Sequence, residues 1–342
     1  MIFTTCLLLI ITIKQGVINM NKLKKIGLSA LAGSLVAVSA QAYEITMTGG
    51  ASVSMSTANE KAKTTYGQAD SITFAVSGET DGGLTITTSL ELDGGANASS
   101  SFDSRSLKIA HDELGTLTFS GHGGSSVMSG WDDKTPSAYE ESWGLTTGAS
   151  VINGVAGDSL WRYDSPALME GLTFHAAYQS TEQTSSVNNY TDFGVQFAPS
   201  MAEGLTMGYA MGEVDESTAY SAGGVANDVT GIDETTFWLT YVYGPVTIGY
   251  QQSDADGPTS TQDDESTAMG ISYAVSDALT LSYNEHEIDL GSSTSDQNSS
   301  GVSASYTMGG TTIKGSVNST DNVAGAAATD VENYEVAVSF AF

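Results

Sequence analysis

Only one cysteine, Cys6, occurs in the 342 residues, so no disulfide within the chain can staple the fold. Proline is nearly as scarce: Pro136, Pro166, Pro199, Pro245 and Pro258 are all there is, and each falls between the alternating segments described below. Proline cannot donate to a strand ladder, so this placement supports reading those segments as strands. Basic residues number eleven against forty acidic ones, a formal charge of −29. A chain this negative is not built to hold nucleic acid, whose phosphates call for Lys and Arg. Beyond residue 42 there is no run of about 18 apolar residues, which excludes a transmembrane helix. Disordered chains share an acidic, Gly- and Ser-rich composition, but they lack the regular alternation that runs through this one.

The first residues form a leader. Met20 opens a segment with Lys22, Lys24 and Lys25, an apolar run over 26–38, and then Ala40-Gln41-Ala42. A basic start, a short apolar stretch and an A-x-A site make a secretory signal peptide, and the stretch is too short to span a bilayer. Cleavage is expected after Ala42. The chain thus divides into 1–19, an upstream start-site extension, 20–42, the signal peptide, and 43–342, the mature protein. Lys14, Lys22, Lys24 and Lys25 leave with the leader and no acidic residue does, so the mature chain is more negative still.

The other end carries a clear strand. Tyr334, Val336, Val338, Phe340 and Phe342 occupy every second position, and Asn333, Glu335, Ala337, Ser339 and Ala341 lie between them. Side chains alternate faces in a strand, so one face is wholly apolar with aromatics at both ends. Such a face suits lipid, with aromatics at the two membrane interfaces. The segment resembles the closing strand of outer-membrane β-barrel proteins of Gram-negative bacteria. In those proteins a terminal Phe helps the barrel assembly machinery recognise the chain.

Alternating segments fill the rest of the mature chain, near 44–58, 68–80, 84–92, 102–110, 115–121, 157–164, 172–180 and 190–198. They continue near 205–213, 234–243, 246–254, 265–274, 279–287, 298–307, 311–320 and 331–342. Sixteen is an even number, as single-chain bacterial barrels require. Short connections (81–83, 111–114, 165–171, 199–204, 244–245, 275–278, 308–310) alternate with longer acidic ones (214–233, 254–265, 288–297, 321–330). This asymmetry predicts an all-β fold, a transmembrane antiparallel barrel of 16 strands with short periplasmic turns and long extracellular loops. Outward faces such as Ile72, Phe74 and Val76, or Val246, Ile248 and Tyr250, alternate with Thr, Ser, Gly, Ala and Gln suited to a wet lumen.

One connection is far longer than the others. Residues 122–156 include Trp131, Asp132, Asp133, Lys134, Glu140, Glu141 and Trp143, and long loops in compact folds are usually functional. It is the third extracellular loop by position. The stretches bracketing it, Leu114-Gly115-Thr116-Leu117-Thr118-Phe119 and Arg162-Tyr163-Asp164-Ser165-Pro166, resemble those that flank the third loop of trimeric Gram-negative general diffusion porins, of the alphaproteobacterial type. The resemblance implies a homotrimeric, water-filled channel for small hydrophilic solutes and ions in the outer-membrane lipid. It also implies a third loop folded inward to narrow the pore. Asp132, Asp133, Lys134, Glu140 and Glu141 are then the constriction-loop residues.

In that family, loop acids face a cluster of basic residues on the wall. Strand parity places Lys108, Arg162 and Lys314 on the lumen side and Arg105 at the rim, a thinner basic cluster than the family usually has. Arg162 has two compatible readings, as a charge in the constriction or as a pin paired with a loop carboxylate. A lumen with many carboxylates and few cations is expected to favour cations. The acidic stretches holding Asp254, Asp256, Asp263 and Asp264 are candidates for Ca²⁺, which takes oxygen ligands, although none has EF-hand spacing. No other cofactor is expected.

A barrel enzyme or a plugged structural barrel is the alternative. His122-Gly123-Gly124 looks like part of an esterase oxyanion loop, but no G-x-S-x-G follows residue 42. His111, His122, His175 and His286 stand singly, without metal-ligand spacing. A triad assembled across strands stays open from sequence alone. A sixteen-stranded lumen is too wide for wall side chains to fill.

Overall fold

The computed structural model describes residues 43–58, 63–93, 102–145, 151–152, 154–180, 189–214, 232–257 and 259–342. The expected leader and cleavage site, within residues 1–42, and most of the acidic connection 214–233 lie outside these. Barrel strands β1 (Glu44–Ala58), β2 (Thr65–Glu79), β3 (Thr85–Asp93), β4 (Ser104–His111) and β5 (Gly115–His122) come first. Two short pieces follow, β6 (Gly124–Ser125) and β7 (Ala156–Gly157), and then β8 (Leu160–Asp164), β9 (Leu172–Gln179), β10 (Tyr190–Phe197) and β11 (Leu205–Val214). The chain continues through β12 (Asp233–Tyr243), β13 (Val246–Asp256), β14 (Asp264–Ala274) and β15 (Leu279–Leu290). It ends with β16 (Gln297–Met308), β17 (Thr311–Asp321) and β18 (Val331–Ala341).

Sixteen of these strands close a barrel in which each pairs antiparallel with its neighbour in sequence, β5 pairs directly with β8, and β18 returns to β1. Closure leaves no edge with unpaired backbone groups, which is how a strand can lie in lipid. The last residue completes the seam: the Phe342 amide donates to the Gly49 carbonyl at 3.0 Å, and the Gly49 amide donates back at 3.1 Å.

All sixteen expected strands are present, with ends displaced by up to three residues, as where β2 begins at Thr65 instead of near 68. The segment expected at 157–164 begins only at Leu160. Ala156–Gly157 leaves the barrel to pair with Gly124–Ser125, and Gly157 (φ 137°) and Ser159 (φ 57°) break the extended backbone between them. The strands around 288–297 run longer than expected, because the inward-facing Ile288 and Leu290 are buried and hold β15 in extended form.

The repeated Gly-Leu-Thr at 171–173 and 204–206 has a backbone origin. Gly171 (φ 78°) and Gly204 (φ 85°) adopt the left-handed conformation just before β9 and β11. A Cβ at either position would lie 2.0 Å from the Ala198 carbonyl oxygen or 2.2 Å from that of Val242. Only glycine fits where the turn presses on the next strand.

Parity separates two faces. Ile72, Phe74, Leu90, Leu107, Phe193, Tyr209, Ile248, Tyr283, Val336 and Phe340 point away from the barrel and stay exposed on the protein, as a lipid-facing surface requires. The buried apolar residues gather elsewhere, in a cluster joining the third loop (Val127, Met128, Trp131, Val151, Ile152, Val155) to inner-wall residues Ala177, Tyr190, Ala210 and Trp238. The molecule's dry core therefore lies beneath its long loop, inside the barrel.

Candidate functional site

The third loop enters through its own short ladder of β6 and β7 and then follows the inner wall. The Met128 amide donates to Asp192 on β10 at 2.8 Å. Gln251 on β13 accepts from the Lys134 amide at 2.7 Å and donates to the Trp131 carbonyl at 2.6 Å. Asn284 on β15 donates to the Pro136 carbonyl at 3.0 Å. The Ala138 and Tyr139 amides donate to Ser282 (2.9 Å) and Ser303 (3.1 Å). Asn318 on β17 donates to the Glu141 carbonyl at 2.7 Å, and Asn333 on β18 to that of Leu145 at 3.0 Å. The returning limb is held as well, with the Gly154 amide donating to Glu234 on β12 at 3.1 Å. Neutral amides and hydroxyls make most of these bonds, so loop backbone that would otherwise be buried unpaired is satisfied by the wall.

Glycines shape the seat. Gly194, Gly249, Gly270 and Gly301 all face inward, where a Cβ would meet Val127, Pro136, Asn284 or Asn318 at 2.2–2.7 Å. The wall thus recedes where the loop or its anchoring amides lie against it. Trp131 packs edge-on to Trp238, ring centroids 5.4 Å apart, and to His175 at 5.6 Å.

The four loop acids lie together on this seated loop. Burial pushes up the carboxyls of Asp132, Asp133, Glu140 and Glu141, and a hydrogen bond to Asp133 helps carry Glu141 to about 7. Burial depresses the Lys134 ammonium, which lies 5.8 Å over the Trp238 ring. Among the described residues, none of the four acids is within ion-pair distance of a Lys or Arg. Tyr139 at the loop's far end donates to Glu335 on β18, and burial followed by that bond raises the phenol above its usual range.

The three wall cations differ in position. Arg162 Nε donates to Asp164 at 3.1 Å, and its Nη1 donates to the carbonyls of Ser126 (3.0 Å) and Ser125 (3.4 Å). It grips the start of the loop through backbone carbonyls, and pairing with a loop carboxylate was one of two compatible readings of the sequence. Lys314 Nζ lies 4.3 Å over the Tyr139 ring, also against the loop. Lys108 stands apart on β4, exposed to the lumen beside Thr87 and Thr118. Arg105 faces outward opposite Leu90, at a register shift in the β4–β5 ladder.

Asp164 also accepts from His175 Nδ1 at 2.7 Å, and His175 Nε2 lies 3.0 Å from the Thr173 hydroxyl. A hydroxyl–imidazole–carboxylate row is thus assembled across strands. The carboxylate is shared with Arg162, and the surrounding backbone is committed to the β8–β9 and β9–β10 ladders, so the row orients the arginine that holds the loop. An oxyanion hole would need free backbone donors.

The calcium candidates do not converge. Asp254 and Asp256 face outward on β13, Asp264 faces inward on β14 with its Oδ1 accepting from the Gly291 amide, and Asp263 accepts from Gly257. No group of three or more His, Cys, Asp or Glu among the described residues is arranged to hold a metal. The C-terminal residues Tyr334, Val336, Val338, Phe340 and Phe342 form a continuous exposed stripe beside the β1 seam.

Asp192, Glu234, Gln251, Asn284, Ser303, Asn318 and Asn333 are anchors that the sequence reading passed over. Their signal is parity: each is a polar residue at an inward position of the wall from β10 to β18.

A closed barrel with an apolar exterior, a hydroxyl-rich interior and a loop seated inside it is a β-barrel protein of the bacterial outer membrane. The sequence profile of Gram-negative porins matches residues 27–325, and the chain belongs to that family. Solved structures share the fold. The anion-selective porin of Comamonas acidovorans is 16% identical with a TM-score of 0.66, covering 88% of this chain and 100% of its own. OmpT of Vibrio cholerae in its trimer form is 13% identical with a TM-score of 0.68, covering 88% and 100%. A triple mutant of Rhodopseudomonas blastica porin is 16% identical with a TM-score of 0.61, covering 87% and 100%. No curated protein matches the sequence.

Proposed function

We propose that the protein is a general diffusion channel for small hydrophilic solutes and ions, that it prefers cations, and that it works as a homotrimer. The observation that carries the cation preference is the charge layout around the third loop. Asp132, Asp133, Glu140 and Glu141 sit on the loop and Glu335 beside it. The inward faces of β1–β5 present mainly small hydroxylated residues such as Ser52, Ser71, Thr87 and Thr118, with Lys108 the basic residue among them. Arg162 and Lys314 are held against the loop. Carboxylates that outnumber the nearby cations and form no ion pair with them attract cations and repel anions.

The Comamonas acidovorans neighbour is anion-selective, but selectivity depends on lumen side chains, which differ freely at 16% identity. The trimer is supported by the trimer form of the Vibrio cholerae neighbour and by the outer face of β1 and β2. There Gly49 and Ala51 are small, and Gln68 and Asp70 share the outward parity of Ile72. A carboxylate facing lipid is costly, whereas a subunit contact can accommodate it. The exposed aromatic end of β18 fits recognition by the barrel assembly machinery.

The test is single-channel recording of the folded mature chain in a planar bilayer under a KCl gradient. Openings in threes with a reversal potential on the potassium side are expected. A reversal potential on the chloride side would overturn the charge reading while keeping the channel. Absence of current from verified folded barrels would overturn the channel itself.

A further inference from the structure

Two opposite charges stand on the outer wall, where apolar side chains meet lipid. Asp70 on β2 shares the outward parity of Ile72 and lies opposite Ala51, the midpoint of β1, which in turn lies opposite Phe340. Arg105 on β4 faces outward opposite Leu90. Among the described residues of the barrel strands, Lys108, Arg162 and Lys314 face inward, and Arg105 is the one basic residue that faces out. Asp70 and Arg105 are both exposed, and neither forms an ion pair within the described chain. A charge left against lipid is costly.

Each charge borders a depression in the wall. That at Asp70 is about 330 Å³, lined by the small residues Gly50, Ala51 and Ala69 and by Phe340, with Glu91 and Asp93 reaching it from the inward-facing set of β3. That at Arg105 is about 370 Å³, lined by Leu90, Leu107, Phe119 and Asp158. Asp158 is paired with His122. Arg105 Nη2 donates to the Gly121 carbonyl at 3.4 Å, a long bond that leaves most of the five guanidinium N–H donors unspent.

The spacing of the two charges around the barrel suits a ring of three. Three round barrels in mutual contact form a triangle, so each meets its neighbours along directions about 60° apart. Adjacent strands of a sixteen-stranded barrel are about 22° apart around its axis. The two contact patches then belong two to three strands apart, and β2 and β4 are two apart. A ring contact joins unlike patches, whereas a two-fold contact would set like against like, Asp70 against Asp70.

We propose that Asp70 of each protomer pairs with Arg105 of the next, so that the outer faces of β2 and β4 form the heterologous contact that closes the trimer. This rests on the trimer reading above and adds to it the residue each partner contributes. The guanidinium fork can take a carboxylate through two parallel bonds, and pairing removes both charges from lipid.

The mature chain lacks cysteine, so Asp70→Cys and Arg105→Cys can be combined and treated in membranes with a short, reducible dithiol cross-linker. Covalent dimers and trimers that disappear on reduction are expected from the double variant, and neither single variant should give them. Charge exchange supplies a second readout on unheated gels, with heat-modifiability confirming that each barrel is folded. Asp70→Arg and Arg105→Asp should each lose the trimer band, and the two together should restore it. A wild-type trimer without these cross-links, or a double variant linked only within one chain, overturns the pair and leaves the trimer standing. Loss in Arg105→Asp that Asp70→Arg fails to repair also overturns it and assigns Arg105 to lipid phosphate. A wild type that sediments as a folded monomer overturns the pair and the trimer together.

Discussion

Tyr139, at the far end of the inward loop, donates its phenolic hydrogen to Glu335 on the strand that closes the barrel. The loop that leaves the wall after β5 is thus fastened at its tip to β18. Hydrogen bonds to charged groups contribute about 1.5–3 kcal/mol. Tyr139→Phe should therefore loosen the tip by about that amount while leaving the barrel folded. The expected readout is a noisier open-channel current with unchanged resistance of the barrel to heat in detergent. Equal noise in wild type and variant would show that Ser303 and Asn318 hold the tip without the phenol.

The receding wall gives a sharper perturbation. Gly249 faces Pro136, where a Cβ would lie 2.4 Å from Pro136 Cδ and 3.2 Å from the Thr135 Cα. Neither neighbour is the free end of a flexible side chain. Gly249→Val should push the loop off its seat and break the Gln251 bonds to Trp131 and Lys134. Conductance should rise as the loop leaves the wall, and loop residues should become open to added protease. Unchanged conductance would mean that the loop slides along the wall without leaving it.

The barrel was legible because lipid and water enforce a two-residue period on every strand. The outward set Ile72, Phe74, Val76 and the closing set Tyr334 to Phe342 could be read directly, and strand count and loop asymmetry followed. The site was only partly legible. Asp132, Asp133, Glu140 and Glu141 could be picked out as acids on an over-long loop. Their mutual arrangement depends on contacts such as Asn318 with Glu141, made between residues far apart in sequence. Arg162 lies against the start of the loop, and its loop partners are carbonyls, which sequence does not mark. The anchors Gln251 and Asn284 look like ordinary wall residues until the loop is laid over them.

Phe342 combines a backbone role with a side-chain role, and the two separate by mutation. Its amide and carbonyl close the seam with Gly49, while its ring stays exposed near that of Phe340, centroids 6.1 Å apart. Phe342→Ser keeps the backbone pair and removes the ring. It should lower the yield of assembled barrel in cells, with little change in the heat resistance of the protein that does assemble. Deletion of Phe342 removes both hydrogen bonds and should lower both. Equal yields of Phe342→Ser and wild type on a heat-modifiability gel would remove the ring from any part in assembly.

The docking of the loop should itself depend on pH, with a sign that follows from Glu141. Its ordinary value is about 4.3, and in the folded loop burial first, then Asp133, lifts it to about 7. Between those values the docked loop binds more protons than the undocked one, so docking weakens as pH rises. The contribution is complete below the ordinary value and is lost as pH rises through about 7. Asp133, raised by its own burial, acts in the same direction. Lys134, depressed by burial, acts in the opposite sense but only at alkaline pH. Trp143 on this loop reports the change through its fluorescence. Acrylamide should quench it more strongly at pH 8 than at pH 5.5, with Trp143→Phe supplying the background of the other tryptophans. Glu141→Gln should hold quenching near the acidic level throughout, because its amide stays uncharged over this pH range. Quenching that falls as pH rises would reverse the sign and overturn the assignment of this step to Glu141.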